Sequence, residues 1–88
     1  MRYSILYTDG VKRYYEEGFL HREDYPAVEY DNGNKYWFKN GMRHRENGPA
    51  IEHVDGSKEW WLNHERFGVN NDFTNESWKI FVKTLIFS

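Results

Sequence analysis

The 88-residue chain carries a net charge of −2 and a pI near 6.1, which excludes the globally basic surface that non-specific nucleic-acid binding uses to displace counterions. It has no cysteine, which excludes a disulfide framework and a thiolate metal site. A chain of this length buries only about 60–65% of the surface its unfolded form exposes, so its core must come from large side chains. Four Trp, seven Tyr and six Phe supply them.

Met1–Gly10 lacks the apolar segment of a secretory leader, and no run approaches the roughly 20 apolar residues of a membrane span. The expectation is one soluble cytoplasmic domain over residues 1–88 with no membrane partner. A strand over Tyr3–Thr8 leads into the dominant feature, a 23-residue repeat that aligns without a gap. Gly10 falls on Gly33 and Gly56, and Lys12 on Lys35 and Lys58. Tyr14 falls on Trp37 and Trp60, and Tyr15 on Phe38 and Trp61. The run His21-Arg22-Glu23 falls on His44-Arg45-Glu46, and Pro26-Ala27-Val28-Glu29 on Pro49-Ala50-Ile51-Glu52. The repeats span about 1–31, 32–54 and 55–71.

Each unit reads as a hairpin. An aromatic strand, Lys35–Lys39, enters Asn40-Gly41, a strong hairpin-turn dipeptide because both residues tolerate positive φ. Gly48-Pro49 then punctuates the chain, a second strand runs from Ala50 to Val54, and Asp55-Gly56 ends it. Consecutive units are expected to pair into one elongated antiparallel sheet. Beyond Asn70 the period changes. Thr74 is placed to cap a helix over about 74–86, and Glu76 complements its dipole. Trp78, Phe81, Val82, Leu85 and Ile86 form one apolar stripe, which predicts burial against the last hairpin. The fold class is therefore mainly β: antiparallel β-hairpin repeats in a single meander sheet with one C-terminal α-helix (α+β).

Tyr36 and Trp37 followed by Asn40-Gly41, His44 and a closing Asp55-Gly56 resemble the MORN repeat, a two-strand hairpin of the same length. The longer pattern, Gly18 or Gly41 followed by His-Arg-Glu, Asp24 or Asn47, and Pro-Ala, is similar to a MORN-like variant of short bacteriophage and bacterial proteins. That resemblance covers residues 9 to about 86. It implies an accessory phage protein acting in the host cytoplasm, of the kind that binds and inhibits a host enzyme or defence factor. Two departures stand out. Tyr25 replaces the turn Gly found at 48, and His64 replaces the Gly found at 41, so both turns are expected to loosen or change shape. The third repeat also lacks the His-Arg run.

Strand alternation puts Tyr14, Trp37 and Trp60 on one side of the sheet and Tyr15, Phe38 and Trp61 on the other. One helix covers only part of one face. Some of these six aromatics are thus expected to meet a partner, either a host protein or a second copy in a homodimer. His21, Arg22, His44 and Arg45 stack in register and make a candidate anion site, since Arg offers phosphate a bidentate fork. The competing reading pairs Arg22 and Arg45 with Glu29 and Glu52 and lets each His bond a turn backbone; recurrence within the repeat favours it. An alternative function is sequestration of a nucleotide or nucleic-acid ligand by stacking and Arg contacts. The spacing of His21, His44, His53 and His64 does not predict zinc ligation. No nucleophile elbow, phosphate loop or His-Glu-X-X-His run is present, and Glu16-Glu17 and Glu23-Asp24 sit at solvated turns. Neither catalysis nor a cofactor is expected.

Overall fold

The structure, a computed structural model, describes residues 2–86; Met1 at the head of the first repeat, and Phe87 and Ser88, lie outside it. Four two-residue turns set the hairpins. Asp9-Gly10, Glu17-Gly18, Asn40-Gly41 and Asn63-His64 all hold both residues at positive φ (53° and 76°, 52° and 83°, 51° and 81°, 49° and 68°), the geometry whose twist matches paired strands. They join β1 (Tyr3–Thr8) to β2 (Val11–Glu16), β2 to β3 (Phe19–Leu20), and, later in the chain, two further hairpins. Between the first and second pairs, β4 (Val28–Tyr30) and β5 (Lys35–Tyr36) meet at a turn where Asn32 Oδ1 accepts from the Asn34 amide at 3.0 Å. One repeat on, Asp55 Oδ1 accepts from the Ser57 amide at 2.9 Å in the same way. The Ser57 hydroxyl donates to the same oxygen at 2.7 Å, and this bond, with the one from the Ser57 amide, holds the Asp55 carboxyl below the usual carboxylate range.

The remaining strands are β6 (Phe38–Lys39), β7 (Met42–Arg43), β8 (Ile51–Glu52), β9 (Lys58–Leu62) and β10 (Glu65–Val69). The main sheet is an antiparallel meander in the order β1-β2-β4-β5-β8-β9-β10, with β3 on the second half of β2. The fold is thus mainly β with a single C-terminal helix. Two expectations need correction. The strand expected over Lys35–Lys39 divides at Trp37, so β6 and β7 form a separate two-stranded sheet. The cause is a change of partner at the first aromatic of the repeat: Trp37 N–H donates to Ala50 O, while Trp37 O accepts from His44 N. Tyr14 repeats this with Ala27 and His21. The second strand, expected to reach Val54, stops at Glu52 because the Val54 amide is taken by Asn34 Oδ1 at 2.8 Å. Pro26, Ala27, Pro49 and Ala50 are buried beside these forks, where close backbone approach leaves no space for a larger side chain.

Successive repeats are joined turn to strand. Gly41 N–H donates to Leu20 O, and 23 residues on His64 N–H donates to Arg43 O, both at 2.9 Å. The His64 substitution therefore keeps the left-handed turn rather than loosening it. Tyr25 does reshape its turn: Asp24 takes φ 65°, which its counterpart Asn47 does not share.

Helix α1 (Asn75–Ile86) starts where the sequence places it. Thr74 Oγ1 accepts from Ser77 N–H at 3.1 Å and Ser77 Oγ accepts from Thr74 N–H at 2.9 Å, a reciprocal cap. Trp78 and Val82 join Trp60 and Leu62 in the core, with Phe67, Phe73 and Phe81 packed around them. The last part of the expected stripe is not buried. Leu85 and Ile86 are exposed because the helix there runs past polar residues at and beside a turn, Lys39, Asn63 and Glu65, leaving an open groove of about 420 Å³. No helix among the described residues is long and apolar enough to cross a membrane.

Candidate functional site

The two aromatic ladders have different fates. The Tyr14–Trp37–Trp60 ladder is roofed by other parts of the chain. Arg22 Cζ lies 3.9 Å above the Tyr14 ring and Arg45 Cζ lies 3.8 Å above Trp37. Trp60 has no arginine one strand over, since Gly68 occupies that repeat position. Phe73 and Trp78 cover it instead, at ring separations of 5.6 and 5.5 Å. The helix thus does for the third repeat what arginine does for the first two. Trp37 and Trp60, two of the residues expected to meet a partner, are only 8% and 1% exposed. They are core residues, and Tyr14 is half-buried beneath its arginine.

Both arginines are held. Arg45 Nη1 donates to Pro49 O at 3.1 Å and to Glu52 Oε2 at 3.0 Å. Arg22 Nη1 reaches Pro26 O at 3.3 Å and Glu29 Oε1 at 3.4 Å. Burial draws the Arg45 guanidinium below its ordinary value, and Glu52 opposes the shift. His21 Nδ1 accepts from Asn40 N–H and His44 Nδ1 from Asn63 N–H, each at 3.0 Å. A backbone amide can only donate, so each ring carries its proton on Nε2 and gives it to Glu23 (2.8 Å) or Glu46 (2.9 Å). The candidate anion residues are therefore brought together, and each already donates to a carboxylate of its own repeat. The cavity they line, about 260 Å³, sets Arg22, Lys39 and Arg45 against Glu23, Asp24 and Glu46. Three cations against three carboxylates give no net field to attract an anion. Trp37 Nε1, the one indole nitrogen of the ladder left without a partner among the described residues, is also buried here.

The Tyr15–Phe38–Trp61 ladder remains half-exposed. Cross-strand register pairs Tyr15 with Leu20, Phe38 with Arg43 and Trp61 with Arg66. Arg43 Cζ stands 4.9 Å from the Trp61 ring and the His64 ring 5.8 Å from it. Trp61 Nε1 donates to Glu59 Oε1 at 3.1 Å. A second row runs beside this ladder, with Tyr30 and Tyr36 rings 5.4 Å apart and Tyr36 and His53 6.2 Å apart. Burial pushes the Tyr36 hydroxyl above its ordinary pKa. The sequence reading did not connect Arg43 and Arg66 with this ladder. The signal was available: both occupy the repeat position that precedes His-Arg in the first two units, held by Leu20 in the first repeat. Among the described residues no three His, Asp or Glu side chains converge on a metal position.

A polar contact also missed in the sequence lies near the first strand. Tyr7 OH donates to the Asp31 carboxylate at 2.8–2.9 Å, and that bond raises the Tyr7 pKa above 10.0. The folded state thus holds this proton more tightly than the unfolded chain. The contribution to stability is complete below the unfolded pKa and is lost as pH rises through the raised value. In an ultraviolet titration of phenolate absorbance, Tyr7 is expected to ionise late. Asp31→Asn should return one tyrosine to the ordinary range, and Tyr7→Phe should delete that late component.

No family model, curated protein or solved structure matches the chain.

Proposed function

We propose that this is a non-catalytic binding protein whose Tyr15–Phe38–Trp61 side, flanked by Arg43 and Arg66, engages another protein. One observation carries the reading: of two equivalent aromatic ladders, one is roofed by arginines and the helix and buried at Trp37 and Trp60, while all three rings of the other are left half-exposed. Trp, Tyr and Arg are the residue types enriched where binding energy concentrates, and a surface of this kind needs no pocket to block a partner. The resemblance of the His-Arg-Glu repeats to those of short phage proteins supports a host protein as that partner, inhibited by occlusion. Nucleotide sequestration is the weaker reading, because Arg22, Arg45 and both histidines are already engaged.

The test is affinity capture from a bacterial lysate followed by mass spectrometry and a binding titration with the identified protein. Wild type and a control altered on the outer helix face, Ile80→Ala, should retain one stoichiometric partner. Phe38→Ala combined with Trp61→Ala should weaken binding by roughly 30-fold or more while circular dichroism stays native. Undiminished binding by the double variant overturns the proposal. So does capture of no protein together with excess absorbance near 260 nm.

A further inference from the structure

The first strand carries a separate signal. β1 is the terminal strand of the sheet, and all six of its residues are exposed. Tyr3, Ile5, Leu6 and Tyr7 are 67%, 62%, 46% and 59% exposed. Natural edge strands are blunted by charge, proline, bulges or a covering element. β1, with sequence Tyr3-Ser4-Ile5-Leu6-Tyr7-Thr8, has no charged residue and no proline, and its six pairs with β2 run without a bulge. The opposite edge is defended. β10 begins with Glu65 and Arg66, breaks register between Arg66 and Gly68, and passes through a 3-10 turn into the helix. Head-to-tail addition of β10 to β1 is therefore blocked, and an open filament with it. What remains is pairing of β1 with itself, which closes after two copies.

We infer that two copies of this chain associate through antiparallel pairing of their β1 strands, with Ile5 of one copy opposite Ile5 of the other. The register follows from hydrogen-bond parity. A two-residue turn makes Thr8 and Val11 a hydrogen-bonded pair, so Leu6 and Ser4 also point their backbone groups at β2. Arg2 O, which accepts from Glu17 N–H, keeps the same parity. Ile5 and Tyr7 point theirs outward. The two-fold register centred on Ile5, near the middle of the strand, places Ile5 on Ile5 and Tyr3 on Tyr7.

The side-chain rows of that register are compatible. Ile5 lies opposite Tyr14 within each copy, so one row reads Tyr14, Ile5, Ile5, Tyr14. Tyr7 lies opposite Lys12 and Tyr3 opposite Glu16, so the rows beside it run from Lys12 of one copy through two tyrosines to Glu16 of the other. No like charges face each other, and aromatic cross-strand pairs are favourable. A single strand pair buries little area, at the low end for specific interfaces, which places it among weak, reversible contacts that are read at micromolar concentrations and above.

Sedimentation velocity of the full chain from roughly 1 to 300 µM reads this directly. Wild type should pass from monomer to dimer across that range. Ile5→Lys and Ile5→Glu, at an exposed position where circular dichroism should stay native, should each weaken the dimer by roughly 100-fold. An equimolar mixture of the two variants should restore it, because only this register puts residue 5 against itself. Ile80→Lys on the outer helix face should change nothing. Wild type that stays monomeric at the highest concentration overturns the inference. So does a dimer indifferent to Ile5→Lys, or a mixture that stays monomeric. Ile5 shares its face with Tyr14, and Tyr15 points to the other, so none of these outcomes decides the partner surface proposed above.

Discussion

Trp78→Ala is expected to lower the unfolding free energy by about 3–5 kcal/mol, the cost of deleting a fully buried tryptophan. Trp78 is 0% exposed and meets Trp60, Phe67, Phe73 and Phe81 at ring separations between 4.8 and 6.2 Å. Its Nε1 also donates to Arg45 O at 2.8 Å, so the helix is fastened to the second repeat as well as the third. A chain of this size has roughly 0.05–0.15 kcal/mol of stability per residue, and the loss is a large share of it. Trp78→Phe keeps a ring but leaves the Arg45 carbonyl without its indole donor, and should cost about 1–3 kcal/mol. Urea denaturation followed by far-ultraviolet circular dichroism measures both. A loss under about 1.5 kcal/mol for the alanine variant would mean that the helix merely decorates the sheet.

The repeat, its tight turns and the helix start were legible in the sequence because each depends on local chemistry. Asn40-Gly41 predicts its own positive φ values, and Thr74 and the Trp78–Val82 spacing specify a capped amphipathic helix within one short window. Which ladder would be sealed was not legible. Tyr14 and Tyr15 are adjacent and chemically alike, and the difference between them is made by Arg22 seven or eight residues away. For Trp60 it is made by Trp78, from a different element altogether. The division of the strand at Trp37 was hidden for a related reason. Tyr36, Trp37 and Phe38 all favour strand, and only the carbonyl of Ala50 and the amide of His44 decide that one strand serves two sheets. The Tyr7–Asp31 bond spans 24 residues and does not repeat, since Tyr7 recurs as Tyr30 one repeat on but Asp31 is replaced there by Val54.

The two arginine roofs offer an internal comparison within one molecule. Arg45→Ala is expected to cost about 2–3 kcal/mol and Arg22→Ala about 1 kcal/mol, although both occupy the same repeat position. The Arg45 bonds are shorter, and its guanidinium covers a buried indole where Arg22 covers a half-exposed phenol. Gly48 adds to the difference. A Cβ there would meet Arg45 at 3.0 Å, so the glycine admits the guanidinium close to the turn, whereas in the first repeat Tyr25 holds Arg22 against its ring at 4.9 Å. The ion pair itself should contribute little, because the Glu52 side chain is 37% exposed and solvent screens it. Glu52→Gln should therefore cost less than about 1 kcal/mol. Arg45→Lys should fail to restore stability, since an ammonium neither stacks on the indole nor reproduces the planar fork. Chemical denaturation of the four variants separates the cases. If Arg45→Lys is as stable as wild type, the roof is a charge effect and stacking on Trp37 is incidental; if Arg22→Ala and Arg45→Ala cost the same, the depth of the covered ring does not matter.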